Sequence, residues 1–519
     1  MLCSSRSFRV AHSLAVGLVC ASCGGDYWLG GAPGAAGSSG DGGSGGSVSN
    51  PTIYDLRGDI VVTGGDNREI GNCRIIGNGY SIRSVAPWYG QLWIHDCEII
   101  GLGSATSEAI SLTMSQAGWT KVERSSFAQS GVIHVTNQND STTTFADNLV
   151  LENSVVPIDF TNGQAEAAFQ ADGSGASPKL FRGNRIFRSA AQFSSPNWLI
   201  GGAADGDSNL LIGLQAGLSV GAPGVVVRGN YVHNLHVAGA GDDSALSVAY
   251  KVNDVLAEHN VLKRGTWVVR GFGGELRYNA LLNADDLAWI QQPFDSTRIH
   301  HNVFLMCDPP DGGIGIQGGI QLVNHRTAAI EIFSNTFDGG DKLCAFSGPA
   351  ISVDSTSFLD SLRSNLIYNF RFEPKGAIIG PHDGEPLDPV QARLGYTDYN
   401  LFFTPAAPVR NYALSVQNRV ERTDSGFALH DARVGGVVGE QVDPMLTGSR
   451  EGCFPWSDDD IKARKVTVSQ MLAYWRAAYT PLPGSPLGGG GDPVDGAGNA
   501  IGAVGDGTLA ADAFGRFGR

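Results

Sequence analysis

The stretch TRIHHNVFL, residues 297–305, decides the fold, because it has relatives along the chain. Its frame is an apolar residue, two variable residues, Asn, one variable residue and a second apolar residue: here Ile299, Asn302 and Phe304. The same frame occurs in FADNLV around Asn148, FRGNRI around Asn184, VRGNYV around Asn230 and AEHNVL around Asn260. It occurs again in LRYNAL around Asn279, IFSNTF around Asn335 and LRSNLI around Asn365. Three earlier segments carry it with a substituted centre: IGNCRI at Cys73, IHDCEI at Cys97 and VERSSF at Ser125. These eleven rungs recur at intervals of 19 to 46 residues, the sign of a solenoid with loops of unequal length.

Within each rung, apolar and variable residues alternate with period two, which predicts strand. A unit holds a strand before the Asn, one after it, and a third after a Gly- or Asp-rich loop, such as ALSVAY (245–250). One winding per unit gives an all-β parallel β-helix of about eleven coils. At the strand spacing of about 4.7–4.9 Å this makes a rod roughly 50 Å long. Asparagine suits the turn because its amide bonds nearby backbone and tolerates left-handed geometry. Stacked amides can also bond one another from coil to coil. Cys73 and Cys97 then share one slot in adjacent rungs, where they either form a disulfide or remain two small buried thiols. His300 and His301 become rung residues. As neighbours on a strand they point to opposite faces and do not share an ion.

The bulk composition agrees with this. Of 519 residues 71 are Gly, and only 17% are charged. The balance of 51 acidic to 36 basic residues, net −15, argues against nucleic-acid binding, which needs a basic face. Residues 1–23 read as a signal peptide: Arg6 and Arg9, an apolar stretch, then Ala21 and Ser22. Cys23 stands where a bacterial lipoprotein would be lipidated, although Cys20 replaces the usual Leu, so anchoring through Cys23 and free secretion both stay open. The only expected membrane link is such an anchor. Residues 24–50 form a Gly/Ser-rich flexible linker, residues 51–405 the β-helix, and residues 406–519 a C-terminal capping region. The capping region holds a short amphipathic helix, with Met471, Leu472, Trp475 and Ala478 at helical spacing and Pro481 ending it. At the other end, residues 51–65 are expected to cover the open edge.

The repeat resembles that of the right-handed parallel β-helix proteins of bacterial cell surfaces, in the pectate lyase-like superfamily. The resemblance spans roughly residues 51–405. It implies a right-handed coil, export to the cell surface or beyond, and a polysaccharide groove along the strand that follows the loops. It says little about activity, because one fold hosts many functions.

On the groove strands the sequence offers Asp242, Asp243 and Lys251 in AGAGDDSALSVAYK, Arg270 in TWVVRG, and Asp285, Asp286 and Gln291 in NADDLAWIQQ. GIQLVNHR adds Gln321, His325 and Arg326, and Asp354 and His382 follow. A polysaccharide lyase needs a cation to neutralise a uronate carboxylate and a base such as Lys251, Arg270, His325 or Arg326. Calcium would take the oxygens of Asp242, Asp243, Asp285 and Asp286. Gln291, Gln321 and Asp354 would bind sugar. A glycosidase instead needs two carboxyls at a set separation. The segment GDD resembles the G-D-D of polygalacturonases at Asp242 and Asp243 alone, since N-T-D, G-H-G and R-I-K are absent. Trp88, Trp198, Trp267 and Trp289 are sugar platforms if exposed and core if not. The function expected is polysaccharide binding with or without lyase-type cleavage; the other class is a non-catalytic adhesin or structural rod. The discriminating feature is at least one basic group and two carboxylates brought within about one sugar's length in a concave groove, against scattered charges on a convex face for a passive rod.

Overall fold

A computed structural model describes residues 51–85, 88–104, 107–151, 167–213, 216–234, 244–282, 288–294, 296–306, 319–322, 329–339, 350–353, 357–368, 379–381, 394–403, 412–416, 419–423, 443–447, 454–495 and 500–504. All belong to one compact unit, Pro51–Arg519. The chain is a parallel β-helix. Two long sheets carry it, one of 25 strands and one of 13, in which each strand pairs in parallel with the equivalent strand of the next coil. In one coil, Arg298–His300 leads into the Asn corner, Val303–Leu305 leaves it, and Ile320–Leu322 forms the second sheet.

The inward residues stack like on like. One column runs Ile200, Val227, Ala257, Leu276, Ile299, Ile332 and Leu362. In the 13-stranded sheet the column Leu246, Val269, Ile290, Ile320 and Ile351 faces it. These side chains are buried, and they fill one continuous core. Each buried aliphatic side chain contributes about 1.5–3 kcal/mol.

The Asn column is the second organising element. Asn148, Asn184, Asn209, Asn230, Asn260, Asn279, Asn302, Asn335, Asn365 and Asn400 are all buried. Each amide nitrogen donates to the side-chain oxygen of the next, as from Asn260 to Asn279 at 2.9 Å and from Asn279 to Asn302 at 3.0 Å. The same oxygen accepts the backbone N–H of the preceding Asn. At these corners the residue before the Asn, not the Asn itself, takes the left-handed conformation, with φ 56° at His259, 56° at Tyr278 and 55° at His301, while Ser208 before Asn209 is extended. The amide is therefore selected for its bonds rather than for its backbone freedom.

Together with Cys73, Cys97 and Ser125 the column has thirteen slots among the described residues, two more than the eleven read from the repeat. Asn209 and Asn400 escape the frame because Gly206 and Thr397 stand where it asks for an apolar residue. At Asn209 a 3-10 turn, Asp205–Asp207, intervenes between the strand Trp198–Gly201 and the corner. Cys73 and Cys97 pair in register and are joined as a disulfide, Cα to Cα 4.6 Å.

Two expectations about the ends fail. Thr52–Asp55 pairs with Cys73–Ile76, and Ile60–Thr63 pairs with Ile82–Val85. Residues 51–65 thus supply the first winding and do not cap it. The C-terminal helix α1 (Val468–Ala478) forms, its N-terminus closed by a Thr467–Gln470 capping box. It does not close the rod end. Its Met471, Leu472, Trp475 and Ala478 pack on Leu210, Ile212, Tyr231, Val261, Ala280, Leu282, Val303 and Leu305, along the flank. Those flank residues are outward positions of successive strands leaving the Asn corner, and their apolar character is the signal for a covering strap. The strap runs on: Tyr479 donates to Asp338 at 2.6 Å, and Arg363 binds Asp495 at 2.7 Å.

Candidate functional site

The outer face of the 13-stranded sheet carries an unbroken polar column. In strict register it reads Arg83, Ser111, His134, Gln170, Gln192, Ser219, Ser247, Arg270, Gln291, Gln321 and Ser352. The cause is strand alternation: the flanking residues point into the core, so these point out. Ser111 through Gln291 are half-buried, while Gln321 and Ser352 are buried. Three candidates from the sequence, Arg270, Gln291 and Gln321, thus occupy consecutive rows of one column. The Arg270 guanidinium lies 5.1 Å from the centre of the Trp267 ring.

Lys251 is elsewhere. It sits in the turn after Ser244–Val248 with φ 66°, exposed, its Nζ 5.2 Å from the exposed Tyr250 ring. The strand ends two residues earlier than ALSVAY suggests, which takes Lys251 off the column. Asp242, Asp243, Asp285, Asp286, His325, Arg326, Asp354 and His382 lie outside the described residues, as do Cys23 and the Trp289 side chain. Trp88, Trp198 and Trp267 are buried and belong to the core, not to a sugar platform. Among the described residues no group of three or more His, Cys, Asp or Glu is arranged to hold a metal ion.

The residues that sequence reasoning missed are Glu108, His134 and Asp172. His134 Nδ1 meets Glu108 Oε1 at 2.5 Å, and its Nε2 meets Asp172 Oδ2 at 2.9 Å. The ring bridges three coils: Glu108 precedes the strand Ile110–Met114, His134 lies on Ile133–Asn137, and Asp172 ends Ala167–Asp172. The Glu108 carboxylate raises the imidazole above its usual range, against the pull of burial, and Asp172 adds to this. The imidazolium in turn holds Glu108 below the usual carboxylate range. All three remain accessible, with 24%, 38% and 44% of the His134, Glu108 and Asp172 side chains exposed. No motif marks them, because 26 and 38 residues separate the partners.

A second ionic network lies on the other sheet. Glu258 binds both Arg228 and Arg277, and Arg277 also binds Glu275 at 2.9 Å. His300 Nε2 meets Glu275 at 2.7 Å, which lowers the Glu275 pKa to about 2. His300 and His301 do not point apart. His301 occupies the left-handed corner, where strand alternation stops, and the two Nδ1 atoms lie 2.8 Å apart. Burial holds His301 neutral, with a pKa of about 3, and His259 likewise at about 4. Glu258 and His300 are buried and tie neighbouring coils together at the corner.

No family model and no curated protein match the sequence. Solved structures similar to the chain include the periplasmic alginate epimerase AlgG, at 13% identity and TM-score 0.40, over 68% of this chain and 79% of that one. The surface protein and adhesin PfbA of Streptococcus pneumoniae matches at 10% identity and TM-score 0.29, over 70% and 90%. The alginate lyase AlyF-OU02 in complex with G6 matches at 9% identity and TM-score 0.31, over 76% and 95%.

Proposed function

We propose that the chain is an exported protein that binds a polysaccharide lengthwise on the outer face of the 13-stranded sheet. The observation that carries this reading is the accessible part of the polar column, Arg83 to Gln291, nine rows without an apolar break. Its hydroxyls and amides both donate and accept, as sugar hydroxyls require. The row spacing of about 4.7–4.9 Å is comparable with one pyranose unit, so successive sugars meet successive rows. Arg270 supplies a cation for a uronate carboxylate, which favours an acidic polymer despite the net negative charge. A disulfide between Cys73 and Cys97 fits an oxidising compartment outside the cytosol.

The test is calorimetric titration of the full chain with polygalacturonate and with a neutral glucan. Binding of the uronate polymer, weakened about ten-fold or more by Arg270→Gln, is expected, since a hydrogen bond to a charged group is worth about 1.5–3 kcal/mol. Affinity unchanged by both Arg270→Gln and Gln291→Ala would remove the column from the binding surface.

A further inference from the structure

We infer that Glu108, His134 and Asp172 couple polymer binding on the column to a proton, so that the groove holds an acidic polymer while the trio is protonated and loosens its hold as pH rises. This rests on the groove reading above and adds its regulation. His134 is the third row of the column, between Ser111 and Gln170, so a polymer lying on the column crosses it. Its ring fills the space between the two carboxylates, with Glu108 Oε1 2.5 Å from Nδ1 and Asp172 Oδ2 2.9 Å from Nε2. The trio therefore meets a ligand through its charge and does not enclose a sugar.

The protons of the ring define two states. An imidazolium donates from both nitrogens and serves both carboxylates, which leaves one net negative charge. A neutral ring keeps a single N–H, so one carboxylate loses its donor and the trio carries two negative charges. With 38% of the Glu108 and 44% of the Asp172 side chain exposed, that second charge is felt in the groove. One added charge about 6 Å from a uronate carboxylate weakens binding about three-fold in water-like surroundings, and more where solvent is excluded. The coupling is reciprocal: a polymer that is repelled by the doubly charged state favours the imidazolium, so binding takes up a proton. The Glu108 hydrogen bond already raises the imidazole, which places the change above about pH 6.5.

Among the described residues, the titratable groups facing the ring are Glu108, ahead of the strand Ile110–Met114, and Asp172, at the end of Ala167–Asp172. The in-register neighbours Ser111 and Gln170 are uncharged, as are Thr113 and Thr136 beside them. Arg83, one row beyond Ser111, is engaged by Asp59 at 2.6 Å. The fold also contains a control. His95 is likewise held between two carboxylates, Asp96 at 2.8 Å and Glu69 at 3.0 Å, but on the 25-stranded sheet away from the column.

The experiment titrates the full chain with polygalacturonate by calorimetry from about pH 6 to about pH 9, in pairs of buffers with different ionisation heats, which measures proton uptake. Binding should weaken about three-fold or more over this range, with proton uptake, and the slope should shrink when salt is raised. His134→Gln leaves both carboxylates without an imidazolium, so it should bind at every pH as weakly as wild type does at the alkaline end. Glu108→Gln should bind more tightly and move the midpoint to lower pH, which a role confined to pinning coils does not produce. His95→Gln should keep the wild-type profile. Affinity independent of pH without proton uptake overturns the coupling, as does a slope that survives His134→Gln or vanishes in His95→Gln. Should His134→Gln fail to fold, the wild-type proton uptake and the Glu108→Gln midpoint decide. Absence of binding at every pH would instead strike the groove reading itself.

Discussion

Replacing Asn279 with Ala tests the element that sets the coil. Its amide nitrogen donates to Asn302 Oδ1 at 3.0 Å, Ala257 O at 2.9 Å and Arg277 O at 2.8 Å. Its oxygen accepts from Asn260 N and Nδ2, both at 2.9 Å. Alanine deletes all five bonds in a buried site. At about 0.5–1.5 kcal/mol net per bond, plus about 1–3 kcal/mol for orphaned groups such as the Asn260 N–H, the loss should be at least about 3 kcal/mol. Serine should cost about half as much, because the protein already shows what serine does in this slot. Ser125 Oγ donates to Glu123 O at 3.0 Å and accepts from Cys97 N at 3.2 Å, two bonds where asparagine makes five. Urea unfolding of wild type, Asn279→Ala and Asn279→Ser, with hydrogen exchange of the amides near residues 257–302, reads both size and place. In a solenoid each coil contacts its neighbours, so the exchange should rise there first. A loss below about 1 kcal/mol for alanine, or equal losses for the two variants, would show that the ladder does not hold the coil.

Three further outcomes are expected. Opening the Cys73–Cys97 disulfide, by reductant or Cys97→Ser, should cost about 3 kcal/mol, from a sequence separation of 24 residues, and a midpoint indifferent to reductant would contradict it. Stability should fall on acidification from about pH 6.5 toward 4. His259 and His301 have lowered folded values, of about 4 and 3, so the unfolded chain binds more protons over this range and stability drops as pH falls. His259→Asn, whose side chain does not titrate and tolerates the left-handed corner, should flatten the curve; an unchanged slope would remove His259 from the account. Trp475→Ala should destabilise by about 3–5 kcal/mol and raise exchange in residues 458–504 before the coils, and protection lost evenly along the chain would refute the strap as a separate layer.

The sequence alone determined the windings. A recurring amide at the turn and period-two alternation leave few other architectures, because each rung must stack on a copy of itself to satisfy its backbone. It also placed Arg270, Gln291 and Gln321 on one side of the rod, and they fall in successive rows of one column, since strand parity is local. What it could not give was anything created by stacking rungs of unequal length. Asn209 hid behind a 3-10 insertion. The apolar stripe under α1 read as ordinary alternation, although its residues face outward. Glu108, His134 and Asp172 share no spacing, and only the inter-coil register sets the two carboxylates against one ring. Local pattern fixes which face a side chain takes. Which side chains meet on that face depends on the loop lengths between coils, and a solenoid leaves those free.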